Sequence, residues 1–255
     1  MKIHLIQTPV DEKNTESNIE NAVKRINELS GGGIAVLPEL FIPGYDKGNI
    51  EYWGERWQHA VYEISEAAKS AKISVVFTTP VSEKGKRFNR AIFIDEEGTI
   101  VSSYDKIHLF RLMDEDKYFS QGSKLETFPY EEWTVGINIC YDLRFPEGIR
   151  ALYKKGANLI ILPAAWPHAR TDVFKKLCFA RAIENQCYFI TCNRASHSAS
   201  KPTYAGNSMI IAPDGELLAE CGVEEDYTSA EINLEKVIEY RKQITCIEDR
   251  RDDIY

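Results

Sequence analysis

The stretch VGINICYDLRFPEG, Val135 to Gly148, decides how this chain is read. Val135 to Ile139 are mostly apolar and partly β-branched, the pattern of a buried strand. A single thiol, Cys140, follows at once. Then come Tyr141, Asp142, Arg144, Pro146 and Glu147. Proline suits the first position of a helix, so a helix is expected over GIRALYKK, ending at Gly156. A core strand that breaks sharply at a thiol and turns into a helix is a unit of an α/β protein.

Working outward, the same alternation recurs. KIHLIQT reads as a first strand. Residues 15–30 place Ile19, Ala22, Val23, Ile26 and Leu29 at helical spacing, with Ser17 and Glu20 in a capping-box pattern and Gly31-Gly32-Gly33 as the stop. IAVLP (34–38) is a fully apolar strand, and 57–71 is again helical. ISVVFTTP (73–80) is a strand. NRAIFID and TIVSSYDKI flank a turn at Glu96-Glu97-Gly98, and 108–128 reads as a charged loop. ANLIILP, CYFITCN and a last segment over 228–232 are strands. Helices are expected over 171–186 and 234–241, and MIIAPDGELLAE is a hairpin turning at Pro213-Asp214-Gly215. A charged tail, CIEDRRDDIY, closes the chain. No linker or repeat is visible, so residues 1–255 are expected to form one domain, a mixed sheet with helices outside.

The 255 residues are 44% hydrophobic and 27% charged, with net charge −8. That suffices for a large core. An acidic chain lacks the cationic footprint that nucleic acid requires. No apolar run approaches the roughly 18 residues of a membrane span, and MKIHLIQTP lacks the pattern of a signal peptide. Of the six cysteines none forms C-x-x-C, and none joins histidine at zinc spacing. The expectation is a cytoplasmic protein with free thiols, no metal and no cofactor.

Three apolar strands end in reactive groups. IAVLP ends at Glu39, IVSSYD leads into Lys106, and VGINI ends at Cys140. Taken singly, each has a plainer role: a salt-bridge partner, a solvated amine, a small buried hydrophobe. Open sheets bind ligands at strand ends; if these three ends converge, they place an acid, an amine and a thiol in one cleft. The carboxylate can take the thiol proton and the thiolate can attack a carbonyl carbon. Lys106 and the Tyr141 N–H can then donate to the oxyanion. Glu39 returns its proton to a leaving amine, and water cleaves the thioester. His108 lies two residues after Lys106, so spacing alone leaves a Cys-His pair open.

LPELFIPGYD, YDKIHLF and NICYDLRFPE resemble the three catalytic motifs of the nitrilase superfamily, the carbon–nitrogen hydrolases. The resemblance runs from IHLIQT through ARAIENQCYFITCNR to PDGELLAE. It implies a four-layer α-β-β-α sandwich, a Glu39-Lys106-Cys140 triad and a homodimer packed through helices. It also implies a second glutamate in the loop before the cysteine strand, aligned with Glu115 between Asp114 and Asp116, to orient the lysine and the substrate amide. CYDLRFPE is similar to the amidase branches rather than to true nitrilases. PAAWPHAR followed by ARAIENQ is similar to the ω-amidases, which hydrolyse 2-oxoglutaramate and 2-oxosuccinamate to a dicarboxylate and ammonia. Deaminated-glutathione amidase shares the CYD-RFPE pattern and is the alternative. Carbamoylases and an N-acyltransferase that passes the thioester to an amine stand further off.

On this resemblance Asp142, Arg144 and Glu147 form a buried ionic scaffold under the thiol, with Arg144 also a candidate for a substrate carboxylate. Arg111, Arg170 and Arg194 are the other candidates. Trp166 and Tyr45 either line the pocket or pack in the core, and Phe41 and Phe145 pack. The five remaining cysteines are assigned to structure.

Overall fold

The computed structural model describes residues 1–198, 200 and 203–254. Its strands are β1 (Lys2–Gln7), β2 (Ile34–Val36), β3 (Ser74–Glu83), β4 (Lys86–Ile94), β5 (Ile100–Asp105), β6 (Thr127–Tyr130), β7 (Trp133–Ile137), β8 (Leu159–Ala164), β9 (Tyr188–Asn193), β10 (Met209–Ile211), β11 (Leu217–Glu220) and β12 (Asp226–Glu231). The helices are α1 (Thr15–Asn27), α2 (Lys47–Glu55), α3 (Trp57–Ala71), α4 (Pro146–Lys154), α5 (Thr171–Asn185) and α6 (Leu234–Gln243).

The strands form two six-stranded sheets rather than one mixed sheet, in the orders β12-β1-β2-β3-β4-β5 and β11-β10-β9-β8-β7-β6. In each, three parallel strands sit in the middle (β1-β2-β3 and β7-β8-β9), with antiparallel neighbours outside. The two halves of the chain therefore repeat one plan that the sequence conceals, because what recurs is strand order and not residue identity.

Alternation along the strands explains the layers. Val36, Val76 and Phe93 face the second sheet, packing with Val135, Ile137, Leu159 and Ile190. Their neighbours Ala35, Val75, Phe77, Ile92 and Ile94 face outward onto Ile19, Ile26, Ile64 and Ala68 of α1 and α3. On the other side α4 and α5 cover the second sheet with Ile149, Leu152, Phe174 and Cys178. The result is the four-layer α-β-β-α sandwich, and burial on both faces is why IAVLP and ANLIILP are apolar throughout. Gly136 permits the close approach of α4, since a Cβ there would lie 2.9 Å from Leu152 Cδ1.

Local details differ from the sequence reading. The α1 cap is Asn14, whose side chain accepts from the Ser17 N–H, and not the Ser17–Glu20 box. Helix α2 has low apolar content, which hides it from a periodicity reading, and its cap Asp46 is separated from Pro43-Gly44 by Tyr45 alone. Strand β3 runs on to pair with β4 through a tight turn at Lys84-Gly85. Strand β6 lies at the edge of the span read as loop, and it pairs with β7. Pro146 does open α4. The described part of the charged tail forms turns, and Tyr255 lies outside the described residues. Among the described residues no helix is long and apolar enough to cross a membrane.

Candidate active site

Glu39, Lys106, Glu115 and Cys140 meet at one end of the sandwich. Each stands just past or beside an element end, and left-handed backbone recurs next to them: Leu40 has φ 47°, Asp114 φ 57° and Cys140 itself φ 42°. Non-glycine residues enter this region only when their surroundings force them. At Leu40 the force is a hydrogen bond from its N–H to the Thr78 hydroxyl, 2.5 Å. The chain thus reverses at once after Glu39, pointing the carboxylate inward.

The Cys140 turn is held by Asp142. One carboxylate oxygen accepts from the Ile139 N–H (3.0 Å) and the Tyr104 hydroxyl (2.8 Å). The other accepts from the His108 N–H (3.0 Å) and pairs with His108 Nδ1 (2.7 Å). Asp142 therefore ties the turn after Cys140 to the chain leaving Lys106. Arg181 of α5 donates twice to the Leu143 carbonyl, at 2.8 and 3.1 Å, and seats the same turn from below. Of the expected ionic scaffold only Asp142 is buried in this way. Glu147 is exposed and Arg144 lines the pocket. Replacing Asp142 by Ala would strand two backbone donors. Urea denaturation of Asp142→Ala is expected to show a loss of about 2–4 kcal/mol, and a loss under about 0.5 kcal/mol would mean the turn is held by something else.

Lys106 is fully buried. Its ammonium donates to Glu39 Oε1 at 2.6 Å and to both Glu115 oxygens at 2.8 and 2.9 Å. Burial alone would lower its pKa, but the charges of Glu115 and Glu39 outweigh burial and the net shift is upward. Lys106 is a fixed cation, not a base. Glu115 also accepts from the Phe110 N–H at 2.7 Å. Its neighbours Asp114 and Asp116 are exposed, so Glu115 is the acid the loop turns inward. Gly122 rests on the chain at Lys106: its N–H donates to the Lys106 carbonyl at 2.9 Å, and a Cβ would lie 2.0 Å from the Asp105 carbonyl oxygen.

Cys140 is 7% exposed and opens into a pocket lined by Tyr45, Phe110, Met113, Tyr141, Arg144, Ala165, Trp166, Pro167 and Arg170. Burial first, and then the Glu39 carboxylate with which it hydrogen-bonds, pushes the thiol well above its ordinary pKa; Lys106 and the Ala165 N–H pull the other way. The resting sulfur is therefore held as a thiol. Glu39 Oε2 accepts from the Ala165 N–H at 3.1 Å. Tyr45 is likewise raised, by burial and then by Glu39 and Glu115. Its hydroxyl stays protonated and donates to Glu39.

The other candidates separate clearly. Trp166 both lines the pocket and packs on Phe174, with the Arg144 guanidinium 5.0 Å from its ring centroid. Arg170 stands over the Phe110 ring at 5.8 Å. Arg194 is held by Glu12 (2.9 Å), Tyr204 and the Val10 carbonyl, and Arg111 lines a neighbouring groove. His108 serves Asp142 and stacks on Phe145 at 3.7 Å. Phe41 packs edge-on against Phe77. Cys178, Cys187, Cys192 and Cys221 are buried, whereas Cys246 is exposed and so is not a core residue. Asn89 escaped the sequence reading. It is buried, and its amide donates to Glu39 Oε1 at 2.8 Å and Glu115 Oε1 at 3.1 Å. The available signal was its phase: Asn89 alternates with Ala91 and Phe93, which face the core between the sheets.

A buried cysteine on a forced turn, a carboxylate in contact with it and a fixed ammonium beside both make an arrangement suited to nucleophilic acyl transfer. The carbon-nitrogen hydrolase family profile matches residues 2–242, and the chain belongs to that family. It is 38% identical to the 2-oxoglutaramate amidase of Bacillus subtilis over 256 residues, covering 99% of this chain and 98% of that one. It is 30% identical to the human omega-amidase NIT2 over 266 residues, covering 100% and 96%. Among solved structures, a CN-hydrolase superfamily protein from Xanthomonas campestris with an arsenic adduct in its active site superposes with TM-score 0.91 at 26% identity, covering 99% and 97%.

Proposed function

We propose that the protein is an ω-amidase, hydrolysing the terminal amide of small 2-oxo acid amides such as 2-oxoglutaramate and 2-oxosuccinamate. The observation that carries this reading is the pair Arg144 and Arg170. Both line the pocket over Cys140, and neither makes an ion pair with an acid among the described residues. Unpaired guanidinium groups beside a nucleophile suit the carboxylate at the far end of such a substrate, which arginine can grip in bidentate fashion. The named amidase relatives support the same substrate class.

In this mechanism Glu39 takes the Cys140 proton as sulfur attacks the amide carbon. Lys106 and the Tyr141 N–H, at the N-terminal end of its turn where amides lack intrahelical partners, stabilise the oxyanion. The C–N bond breaks, Glu39 protonates the nitrogen, and ammonia leaves. Glu39 then takes a proton from water, hydroxide displaces the sulfur, and the dicarboxylate departs with thiol and carboxylate restored. Glu115 keeps Lys106 in place, and Trp166 and Tyr45 wall the pocket.

The test is ammonia release from 2-oxoglutaramate by the wild-type chain, with Cys140→Ala inactive. Arg144→Ala and Arg170→Ala are expected to raise KM for 2-oxo acid amides by about 10–100-fold while sparing uncharged amides. No ammonia from any ω-amide would remove the reading, and unchanged KM in both arginine variants would remove the carboxylate assignment.

A second reading has one observation in its favour. An open cleft of about 670 Å³, lined by Glu12, Lys13, Arg194 and His197, shares Met113 and Pro167 with the Cys140 pocket. That space suits the larger leaving group of a deaminated-glutathione amidase. Faster release of a dipeptide than of ammonia would favour it. Six unpaired cysteines suit a reducing compartment, hence the cytoplasm. Exposed Val173 and Ile183 on α5 suit packing against a second copy in a homodimer.

A further inference from the structure

We propose that Asn89 is a positioning residue of this site: its side-chain amide holds the Glu39 and Glu115 carboxylates in the ionised arrangement in which they share Lys106. The inference rests on the amidase reading, because it assigns Glu39 the work of a base.

The charges pose the problem. Two carboxylates face one ammonium in a space closed to water. Like charges in one buried site drive one of them to bind a proton. A protonated Glu39 cannot take the proton of Cys140. Asn89 answers with two N–H donors on one nitrogen, one for each carboxylate. Its orientation follows from chemistry, since turning the amide over would set its oxygen against two carboxylate oxygens. In this orientation Oδ1 is buried with no hydrogen-bond partner among the described residues. A buried acceptor left unpaired is a cost, and here it accompanies a donor pair committed to the two acids.

The neutrality of the amide matters equally. A second cation would balance the acids fully and make Glu39 a poor proton acceptor. A neutral donor serves both carboxylates without adding a charge to the cluster. Asn89 also fixes the lysine by its backbone: its carbonyl accepts the Lys106 N–H at 3.0 Å. One residue of β4 thus sets where the lysine chain runs and how its two partners are held.

The experiment compares wild type, Asn89→Ala and Asn89→Asp by two readouts across roughly pH 5 to 9. The first is steady-state hydrolysis of 2-oxoglutaramate. The second is alkylation of Cys140 by iodoacetamide, followed by peptide mass spectrometry with the exposed Cys246 as internal reference. Removing a donor from an ionised acid favours its protonated form, so proton acceptance begins at higher pH. For Asn89→Ala we expect kcat to fall about 10–100-fold, KM to stay within about threefold, and the acid limb of both profiles to move up by about one pH unit. Asn89→Asp is isosteric. At neutral pH it places a third carboxylate in the cluster and is slower than Asn89→Ala. On acidification the added carboxyl binds a proton, becomes a donor, and regains part of the rate relative to wild type. If both variants keep the wild-type acid limb, whatever their melting temperatures, Asn89 only fills space and the proposal is overturned. If wild type hydrolyses no ω-amide, the functional reading fails by itself, and the alkylation profiles still decide the role of Asn89.

Discussion

Glu39→Gln will fold and will hydrolyse ω-amides about 10³–10⁴-fold more slowly than wild type, near the upper range for loss of a general acid–base group. The fold is expected to survive because glutamine keeps the shape and one acceptor. That acceptor can still face Lys106 and Asn89, which now meet on Glu39 Oε1. The other oxygen becomes an NH₂ facing the Ala165 N–H, a repulsive contact of about 1–3 kcal/mol that lowers stability without unfolding the chain. The chemistry suffers far more. Burial is the largest cause holding the Cys140 thiol protonated, and glutamine cannot take that proton. The residual rate should therefore climb toward alkaline pH, where the thiol ionises unaided, and the acid limb of the wild-type profile should vanish. Stopped-time ammonia assays from neutral to alkaline pH check both points. A variant within about tenfold of wild type at neutral pH would mean that some other group accepts the proton.

How far this site could be read from the chain depends on which forces local sequence reports. The three strand ends were legible because an apolar run that stops at a charge or a thiol is visible within ten residues. Convergence of those ends depends on two sheets stacking face to face, and the sequence suggested a single mixed sheet until the family resemblance supplied the sandwich. Glu115 was picked out from Asp114 and Asp116 by the family resemblance alone; the left-handed backbone at Asp114 that precedes its inward turn is something no spacing rule reveals. The four arginine candidates were equivalent in sequence. They separate only through partners distant along the chain, as when Glu12 claims Arg194 across 182 positions. Asn89 went unread for a related reason. A lone amide in an apolar strand looks like a strand-edge residue until the carboxylates 50 and 26 positions away close on it.

Lys106→Met should be the most destabilising single change at the site. Methionine fills most of the lysine's volume, so the loss is electrostatic. It leaves Glu39 and Glu115 buried together with no cation, and removing one member of a buried ion pair costs about 3–5 kcal/mol. The variant's carboxyls will then bind a proton more readily in the folded chain than in the unfolded one. A group raised in this way contributes stability in acid and loses it as pH rises. The deficit relative to wild type should accordingly be smaller at about pH 5 than at about pH 8, as measured by guanidinium denaturation. Adding Glu115→Gln removes one of the two stranded charges and should recover much of the stability, with the two changes strongly non-additive because they share one contact. Activity should not return in the double variant, since the mechanism proposed above needs the Lys106 ammonium at the oxyanion. If the double variant is no more stable than Lys106→Met, the cost lies in packing around the lysine stem rather than in the buried carboxylates.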